Sequence, residues 1–113
     1  MAKVFEFALF ELRPGVNEQE FIRFFNEQYA ACGARLGAKG YILKADRGER
    51  AGKFAIVWEW PSVEQLHHFM PEDIGGFTEE GLRLLGPGFD ELNKKLDTYT
   101  PDWPFTDYIV QGK

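Results

Sequence analysis

Apolar and polar residues alternate most regularly in residues 52–70, where a predicted strand leads through a turn into a short helix. One face of the strand carries four large apolar side chains: Phe54, Ile56, Trp58 and Trp60. This period of two is typical of a β-strand. Ser62 begins the helix, because Gln65 follows it at the spacing of a capping box. We therefore predict a strand joined directly to an amphipathic helix over residues 63–70.

A similar unit is predicted near the start of the chain. Residues 3–12 alternate in the same way but carry apolar side chains on both faces of a strand. Asn17 and Glu20 also have the spacing of a capping box, so a helix is expected to begin there. Its predicted inward stripe recurs at three- and four-residue steps: Phe21, Phe25, Gln28, Tyr29, Cys32 and Leu36.

The other segments complete an alternating order of strands and helices. Residues 41–46 are predicted to form a strand joined to the next by a charged loop, and residues 105–111 form the last strand. Thr78 can cap a last helix, which the Gly-Pro-Gly run at residues 86–88 should break because proline removes a helical hydrogen bond. The glycine-containing residues 71–77 are the candidate for a mobile lid.

The order strand, helix, strand, strand, helices, strand predicts an α+β fold of the ferredoxin-like, split β-α-β kind. Its sheet is four-stranded and antiparallel, with the helices on one face. Residues 1–113 are predicted to form a single domain, because a chain of this length lies within the usual size of one hydrophobic core.

Both faces of the predicted sheet are apolar. The bulkier set is assigned to the helical side: Phe5, Phe7, Leu9, Tyr41, Leu43, Phe54, Ile56, Trp58 and Trp60. The opposite face carries a smaller set: Ala8, Phe10, Leu12, Ile42, Ala55, Val57 and Ile109. Helices on one side cannot cover this second face, and an exposed apolar surface of this kind usually marks an interface. We therefore predict a homodimer through the second sheet face, with two-fold symmetry.

The element order, the second apolar sheet face and the strand-to-helix run at residues 52–70 resemble the dimeric α/β-barrel superfamily. This superfamily includes antibiotic-biosynthesis monooxygenases, haem-degrading monooxygenases, muconolactone isomerases and stress-responsive barrel proteins. The resemblance implies a ferredoxin-like homodimer that holds a small aromatic or apolar ligand between sheet and helices. Haem-degrading members use an asparagine on the first strand and a histidine on a late helix, whereas residues 3–12 lack asparagine and no histidine follows His68. Many stress-responsive members place histidine after a Pro-Glu step, where this chain has Asp73.

Charge and cysteine content narrow the expected partners. The net charge of −5 argues against nucleic acid and anionic membranes, both of which need clustered Lys and Arg. Cys32 is the only cysteine, which excludes an internal disulfide and a cysteine-based metal site, and we expect neither cofactor nor metal. The sequence contains no apolar run of membrane-spanning length and no signal-peptide pattern, so we expect a cytoplasmic protein.

His67 is the candidate catalytic residue. On the predicted helix it shares a face with three apolar residues: Val63, Leu66 and Met70. His67 should therefore point inward and His68 outward. A buried neutral imidazole could act as a general base. The alternative is a boundary histidine hydrogen-bonded to backbone, and the lack of a recognisable catalytic partner favours that alternative.

Five aromatic residues are the candidate ligand-binding walls: Phe7, Phe25, Tyr29, Trp58 and Trp60. Many rigid rings in a small domain leave shaped gaps between them. The alternative is that these rings only fill the core, which is the commoner role of aromatic stripes. Glu6 and Glu59 are either a carboxylate pair for acid/base chemistry or, with Lys44 on the same face, an ordinary cross-strand charge arrangement. The charge arrangement is the favoured interpretation.

Two functions of different classes follow. The first is a cofactor-free enzyme, monooxygenase-like or isomerase-like, with His67 as base and aromatic residues such as Tyr29 and Trp58 as walls. The second is a non-catalytic dimeric module for ligand binding or assembly. A solvent-accessible pocket that contains His67 would favour the enzyme hypothesis, and a filled core would exclude that hypothesis.

Overall fold

The computed structural model describes residues 2–101 and 104–112, which form a four-stranded antiparallel sheet with helices on one face. The strands are β1 (Val4–Phe10), β2 (Lys39–Lys44), β3 (Phe54–Trp60) and β4 (Thr106–Ile109). The α-helices are α1 (Glu18–Phe24), α2 (Ala30–Ala34), α3 (Val63–Phe69), α4 (Glu79–Leu85) and α5 (Phe89–Tyr99). The sheet order β2-β3-β1-β4 confirms the predicted α+β, ferredoxin-like fold.

Local capping signals determine where three helices begin. Each predicted cap side chain accepts a backbone hydrogen bond: Asn17 Oδ1 from Glu20 N at 2.9 Å, Ser62 Oγ from Gln65 N at 3.1 Å, and Thr78 Oγ1 from Gly81 N at 3.1 Å. The predicted break at residues 86–88 is confirmed as well. Gly86 ends α4 at a φ of 95°, a conformation that favours glycine, and α5 starts only after Pro87 and Gly88.

The first helix contains an irregular turn that the periodic pattern did not predict. Residues Phe25–Tyr29 form a π-helical turn between α1 and α2. The wider turn changes the helical phase, so Gln28 is exposed although the predicted stripe placed it inward. Phe24 is buried instead, together with the correctly predicted Phe21 and Phe25. Such turns are frequent at functional sites, and this one ends at Tyr29, whose position is described below.

Strand β1 faces the opposite way to the prediction. Glu6 lies opposite Trp58 in the register between β1 and β3, and Ala8 lies opposite Ile56, so these residues share the helical face. Phe7 was predicted to lie on that face, whereas it pairs with Val57 on the outer side. Because β1 carries apolar side chains on both faces, side-chain bulk did not identify the face that packs against the helices. The register with β3 decides the orientation, since a shift by one residue exchanges the faces.

The outer sheet face is apolar but differs in membership from the predicted one. It comprises Phe5, Phe7, Leu9, Tyr41, Leu43, Ala55, Val57 and Tyr108, as the strand registers show. Four members of the predicted dimer face lie on the helical side instead: Ala8, Phe10, Ile42 and Ile109. Only the assignments of Ala55 and Val57 to the outer face were correct. Leu9, Tyr41, Leu43 and Tyr108 are exposed in the protomer.

Candidate functional site

A cavity of about 380 Å³ lies between the inner face of the sheet and the helices. This volume falls in the range of about 300–1,000 Å³ that is usual for small-molecule sites. Its walls are mostly apolar: Tyr29, Cys32, Gly33, Leu36, Ala38, Ile56, Trp58, Trp60, Met70, Phe77, Leu85, Phe89, Leu96 and Phe105. Three polar side chains complete the lining: Glu6, Asn93 and Asp97. The space is partly open to solvent, so the core beneath the helices is not filled.

Two glycines determine where the indole ring of Trp58 lies. A Cβ atom at Gly40 on β2 would stand 2.5 Å from Trp58 Cζ3, and one at Gly33 on α2 would overlap the same ring. Real Cβ atoms do not approach other heavy atoms this closely. The ring therefore lies between a strand and a helix that approach each other only because both positions lack side chains. This arrangement holds Trp58 at the cavity wall.

We expect Gly40→Ala to destabilise the protein by about 1–3 kcal/mol, because the added methyl group must displace the Trp58 ring. Displacement should also shift the tryptophan emission of the folded protein. The matched control is Gly88→Ala, since Gly88 has a φ of −83° and open space around it. Urea unfolding of both variants measures the difference. Equal unfolding midpoints for the two variants would show that the position of the Trp58 ring does not depend on Gly40.

Tyr29 and Asn93 form the first polar contact in the wall. Tyr29 Oη donates to Asn93 Oδ1 at 2.6 Å and thereby joins the π-helical turn to α5. Burial raises the pKa of Tyr29, so its phenol stays protonated and remains a donor at neutral pH. Because the oxygen of the Asn93 amide accepts from Tyr29, the amide nitrogen is the end of this group that can donate to a ligand.

Glu6 is a buried carboxyl group at the sheet side of the cavity. Its side chain is 6% exposed, and Trp60 Nε1 donates to Glu6 Oε1 at 2.6 Å. Glu6 lies opposite Asp107 in the register between β1 and β4, and the two side chains are hydrogen-bonded. Burial, followed by the hydrogen bond with Asp107, raises the pKa of Glu6 to about 7, although the bond from Trp60 lowers it. Glu6 can therefore gain or lose a proton near neutral pH.

Cys32 also lines the cavity, but as a thiol rather than a thiolate. Its side chain is buried. Burial raises the pKa of Cys32, and the nearby positive charge of Arg35 only partly opposes this effect. Because the thiolate is the reactive form, Cys32 contributes an apolar surface to the wall and no nucleophile.

The five predicted wall residues are divided between the cavity and its surroundings. Tyr29, Trp58 and Trp60 line the cavity. Phe25 is fully buried behind the wall, with its ring 5.8 Å from that of Trp58. Phe7 lies on the outer sheet face, where its ring packs edge-on against Tyr108 at 5.7 Å. The prediction for Phe7 was wrong because β1 is turned over relative to the predicted face.

The predicted inward orientation of His67 is wrong. Helix α3 buries Leu66 and Phe69, whereas His67 is exposed and does not line the cavity. Phe69 is bulkier than Met70 and moves the buried arc to the side of Leu66 away from His67, since successive residues lie about 100° apart. His68 is exposed, as expected, and its Nε2 lies 3.0 Å from Glu80 Oε1. The cavity therefore lacks the imidazole base that the sequence suggested.

The polar residues of the cavity were not predicted from the sequence. Glu6 was grouped with Glu59 and Lys44 on one face, but Glu59 lies on the outer face and pairs with Lys3 at 2.8 Å. Lys44 pairs with Glu18 at 2.8 Å and belongs to the helical side. One signal could have identified Glu6: it is the only charged residue within the apolar strand Val4–Phe10. Asn93 and Asp97 occupy helical positions with no distinguishing pattern.

Structural comparison finds similar folds at low sequence identity. A NIPSNAP domain protein from Burkholderia xenovorans has a TM-score of 0.64 and 10% identity, with 95% of this chain and 93% of that chain covered. A variant of SnoaB, a cofactor-independent oxygenase from Streptomyces nogalater, has a TM-score of 0.61 and 12% identity over 98% and 95% of the two chains. A dimeric ferredoxin-like protein from an uncultured marine organism has a TM-score of 0.55 and 14% identity over 100% and 97%. This chain therefore shares the ferredoxin-like fold of these proteins.

Sequence comparison adds no family assignment to this fold. No protein-family model and no curated protein sequence matches the chain significantly. In residues 2–101 and 104–112, no helix is long and apolar enough to cross a membrane. Within the same residues, no group of three or more His, Cys, Asp or Glu side chains is arranged to hold a metal ion.

Proposed function

We propose that the protein binds a small, largely apolar molecule of aromatic character in the cavity between sheet and helices. The observation that carries this proposal is a space of about 380 Å³ with mostly aromatic and aliphatic walls and few polar groups. Small-molecule sites commonly combine apolar walls with a few polar groups that orient the ligand. Trp58 and Trp60 offer rigid rings for contact with a planar ligand, and Glu6 and Asn93 offer polar contacts at the wall.

A cofactor-free enzyme is the second candidate, and the carboxyl group of Glu6 favours it. General acid–base catalysis is most effective when the pKa of the acting group lies near the working pH, and the pKa of Glu6 is raised to about 7. SnoaB, which has this fold, is described as a cofactor-independent oxygenase. In the present chain the acid/base group of such an enzyme would be Glu6, since His67 lies outside the cavity.

We also propose that the protein is a homodimer joined through the outer sheet face. That face carries four exposed large apolar side chains: Leu9, Tyr41, Leu43 and Tyr108. None of the described helices covers it, and an apolar sheet surface of this extent usually marks an interface. Two proteins of this fold, from Bacteroides fragilis and from an uncultured marine organism, are described as dimeric. Pairing of identical faces by a two-fold axis would cover both surfaces at once.

Naphthalene is a suitable probe for the proposed cavity, and equilibrium dialysis can measure its binding. We expect the wild-type protein to bind it and Ala38→Leu to lose at least about tenfold in affinity, because the larger side chain occupies ligand space. Ala38 is 1% exposed and lines the cavity. Because the leucine side chain of Ala38→Leu extends into the empty cavity, the unfolding midpoint should be nearly unchanged.

The matched control is Ala8→Leu at another buried alanine. Ala8 lies on the same sheet face but does not line the cavity. The substitution should overpack the core and cost about 1–3 kcal/mol of stability. It should leave naphthalene affinity nearly unchanged in the folded protein. Failure of the wild-type protein to bind naphthalene, or equal binding by Ala38→Leu, would contradict the proposed site.

A further inference from the structure

We propose that Glu6 recognises the hydroxyl group of a neutral ring compound, a phenol or an enol, and accepts its proton. This inference rests on the proposed function, because it names the class of ligand for the same cavity. It assigns Glu6 the role of direct contact with the ligand, and it makes recognition depend on the ionisation of one carboxyl group.

The charges of the cavity wall select a ligand without negative charge. Glu6 and Asp97 are the acidic groups among the lining residues, and no Lys, Arg or His belongs to the described lining. An anionic ligand would enter a space that offers two carboxyl groups and no positive partner, at a large electrostatic cost. A neutral ligand with apolar surface avoids this cost and gains contact with the aromatic wall.

The hydrogen bonds of Glu6 explain why the ligand should carry a donor. In the protonated state, Oε1 accepts from Trp60 Nε1 and the acid proton is shared with Asp107, so the carboxyl group is satisfied. When Glu6 is ionised, the proton between the two carboxyl groups is gone and the charge of Asp107 repels the Glu6 carboxylate. The buried carboxylate then needs another donor, since an unpaired buried charge is costly. A ligand hydroxyl can meet this need.

Titratable and polar groups from the packed elements lie beside Glu6 or line the same cavity. Trp60 on β3 donates to it, and Asp107 on β4 contributes a second carboxyl group. From the helical side, Tyr29 and Cys32 stay protonated at neutral pH because burial raises their pKa values. Asp97 on α5 is the remaining acidic group in the lining. None of these groups supplies a positive charge, so a donor ligand is the partner that stabilises the carboxylate.

Proton transfer completes the proposed interaction. The hydroxyl bond of the ligand breaks, its electron pair stays on the ligand oxygen, and the proton moves to a carboxylate oxygen of Glu6. The reverse transfer restores both groups, so the exchange is balanced and needs no other reactant. The ligand anion formed in this way has more electron density in its ring than the neutral compound. Glu6 thus activates a phenol or an enol by proton exchange alone.

The test compares 1-naphthol with naphthalene, which differ by one hydroxyl group. Binding is measured by equilibrium dialysis at about pH 5.5 and about pH 8, which lie below and above the raised pKa of Glu6. We expect 1-naphthol to bind wild-type protein about tenfold more tightly at the higher pH, as a hydrogen bond to a charged acceptor implies. Naphthalene affinity should not change with pH. Glu6→Gln should remove the pH dependence of 1-naphthol binding.

Glu11→Gln is the matched control, because Glu11 is exposed and pairs with Lys53 away from the cavity. It should reproduce the wild-type pH dependence. If naphthalene binds but 1-naphthol shows no pH dependence, or Glu6→Gln keeps it, the inference fails and the proposed cavity function stands. If neither compound binds wild-type protein, both the proposed function and the inference fail. If folding of Glu6→Gln is impaired, the wild-type comparison of the two probes still decides the inference.

Discussion

Leu9→Lys is expected to convert the proposed homodimer into a monomer at micromolar protein concentration. Leu9 is 53% exposed in the protomer and lies on the outer sheet face, opposite Ala55 of β3. A lysine there is tolerated in the isolated protomer because its ammonium group reaches water. In the dimer the same charge would be buried without a partner, which costs about 3–5 kcal/mol. Size-exclusion chromatography with light scattering gives the mass directly.

Leu82→Lys is the matched control for this experiment. Leu82 is 49% exposed, so the two leucines expose similar fractions, but it lies on α4 on the helical side of the sheet. This variant should remain dimeric. Leu9 is a better test position than Val57, because Val57 is 4% exposed and a charge there would also disturb the protomer. A wild-type protein that is already monomeric, or dissociation of both variants to the same degree, would contradict the proposed interface.

Local signals predicted the helix starts and the order of elements. The caps at Asn17, Ser62 and Thr78 depend on residues three positions apart, so the sequence contains both partners of each bond. Strand β3 also matches its predicted range, since its large apolar residues leave one clear alternation. Such features need no knowledge of distant contacts. They suffice for the ferredoxin-like topology.

The orientation of β1 could not be predicted in the same way. Its sequence VFEFALF places apolar side chains at nearly every position, so either face satisfies the hydrophobic pattern. The register with β3 buries Val4, Glu6, Ala8 and Phe10 and leaves Phe7 outside. The buried position of Glu6 depends on Trp60, 54 residues away, whose indole N–H supplies a hydrogen bond. Patterns of neighbouring residues therefore cannot predict the hydrogen bond between Glu6 and Trp60.

The candidate site was predicted only in part, because some of its residues are brought together by contacts between elements that are distant in sequence. Trp58 and Trp60 belong to β3, whose inward face was correctly assigned, and Tyr29 was correctly placed on the inward side despite the π-helical turn; all three line the cavity. The space beside Trp58 depends on Gly33 and Gly40, which come from different elements. The acid/base candidate in the cavity is Glu6 rather than His67, because the buried arc of α3 is centred between Leu66 and Phe69. Positions that depend on contacts between elements were therefore missed.

Replacement of Glu6 by glutamine is expected to change how stability depends on pH. The pKa of Glu6 rises from an ordinary value of 4.5 to about 7 on folding, so the folded state favours the protonated acid. Stability from this group is fully present below pH 4.5, falls as pH rises through about 7, and is constant above that. The loss for wild-type protein is on the order of 3 kcal/mol. Glutamine cannot ionise, and its amide oxygen can still accept from Trp60 Nε1.

The free energy of unfolding in urea, measured at about pH 5 and about pH 8 at one protein concentration, tests this expectation. Glu6→Gln should be similar to wild type at the lower pH and more stable at the higher pH, on the order of 2–3 kcal/mol. Glu11→Gln provides a control of opposite sign, because the hydrogen bond from Lys53 lowers the pKa of Glu11 and its stabilisation is lost as pH falls. Removal of that group should therefore cost stability at pH 8. Parallel stability curves for wild type and Glu6→Gln would mean that Glu6 does not hold its proton more tightly in the folded protein, since only a change of pKa on folding can make the curves diverge.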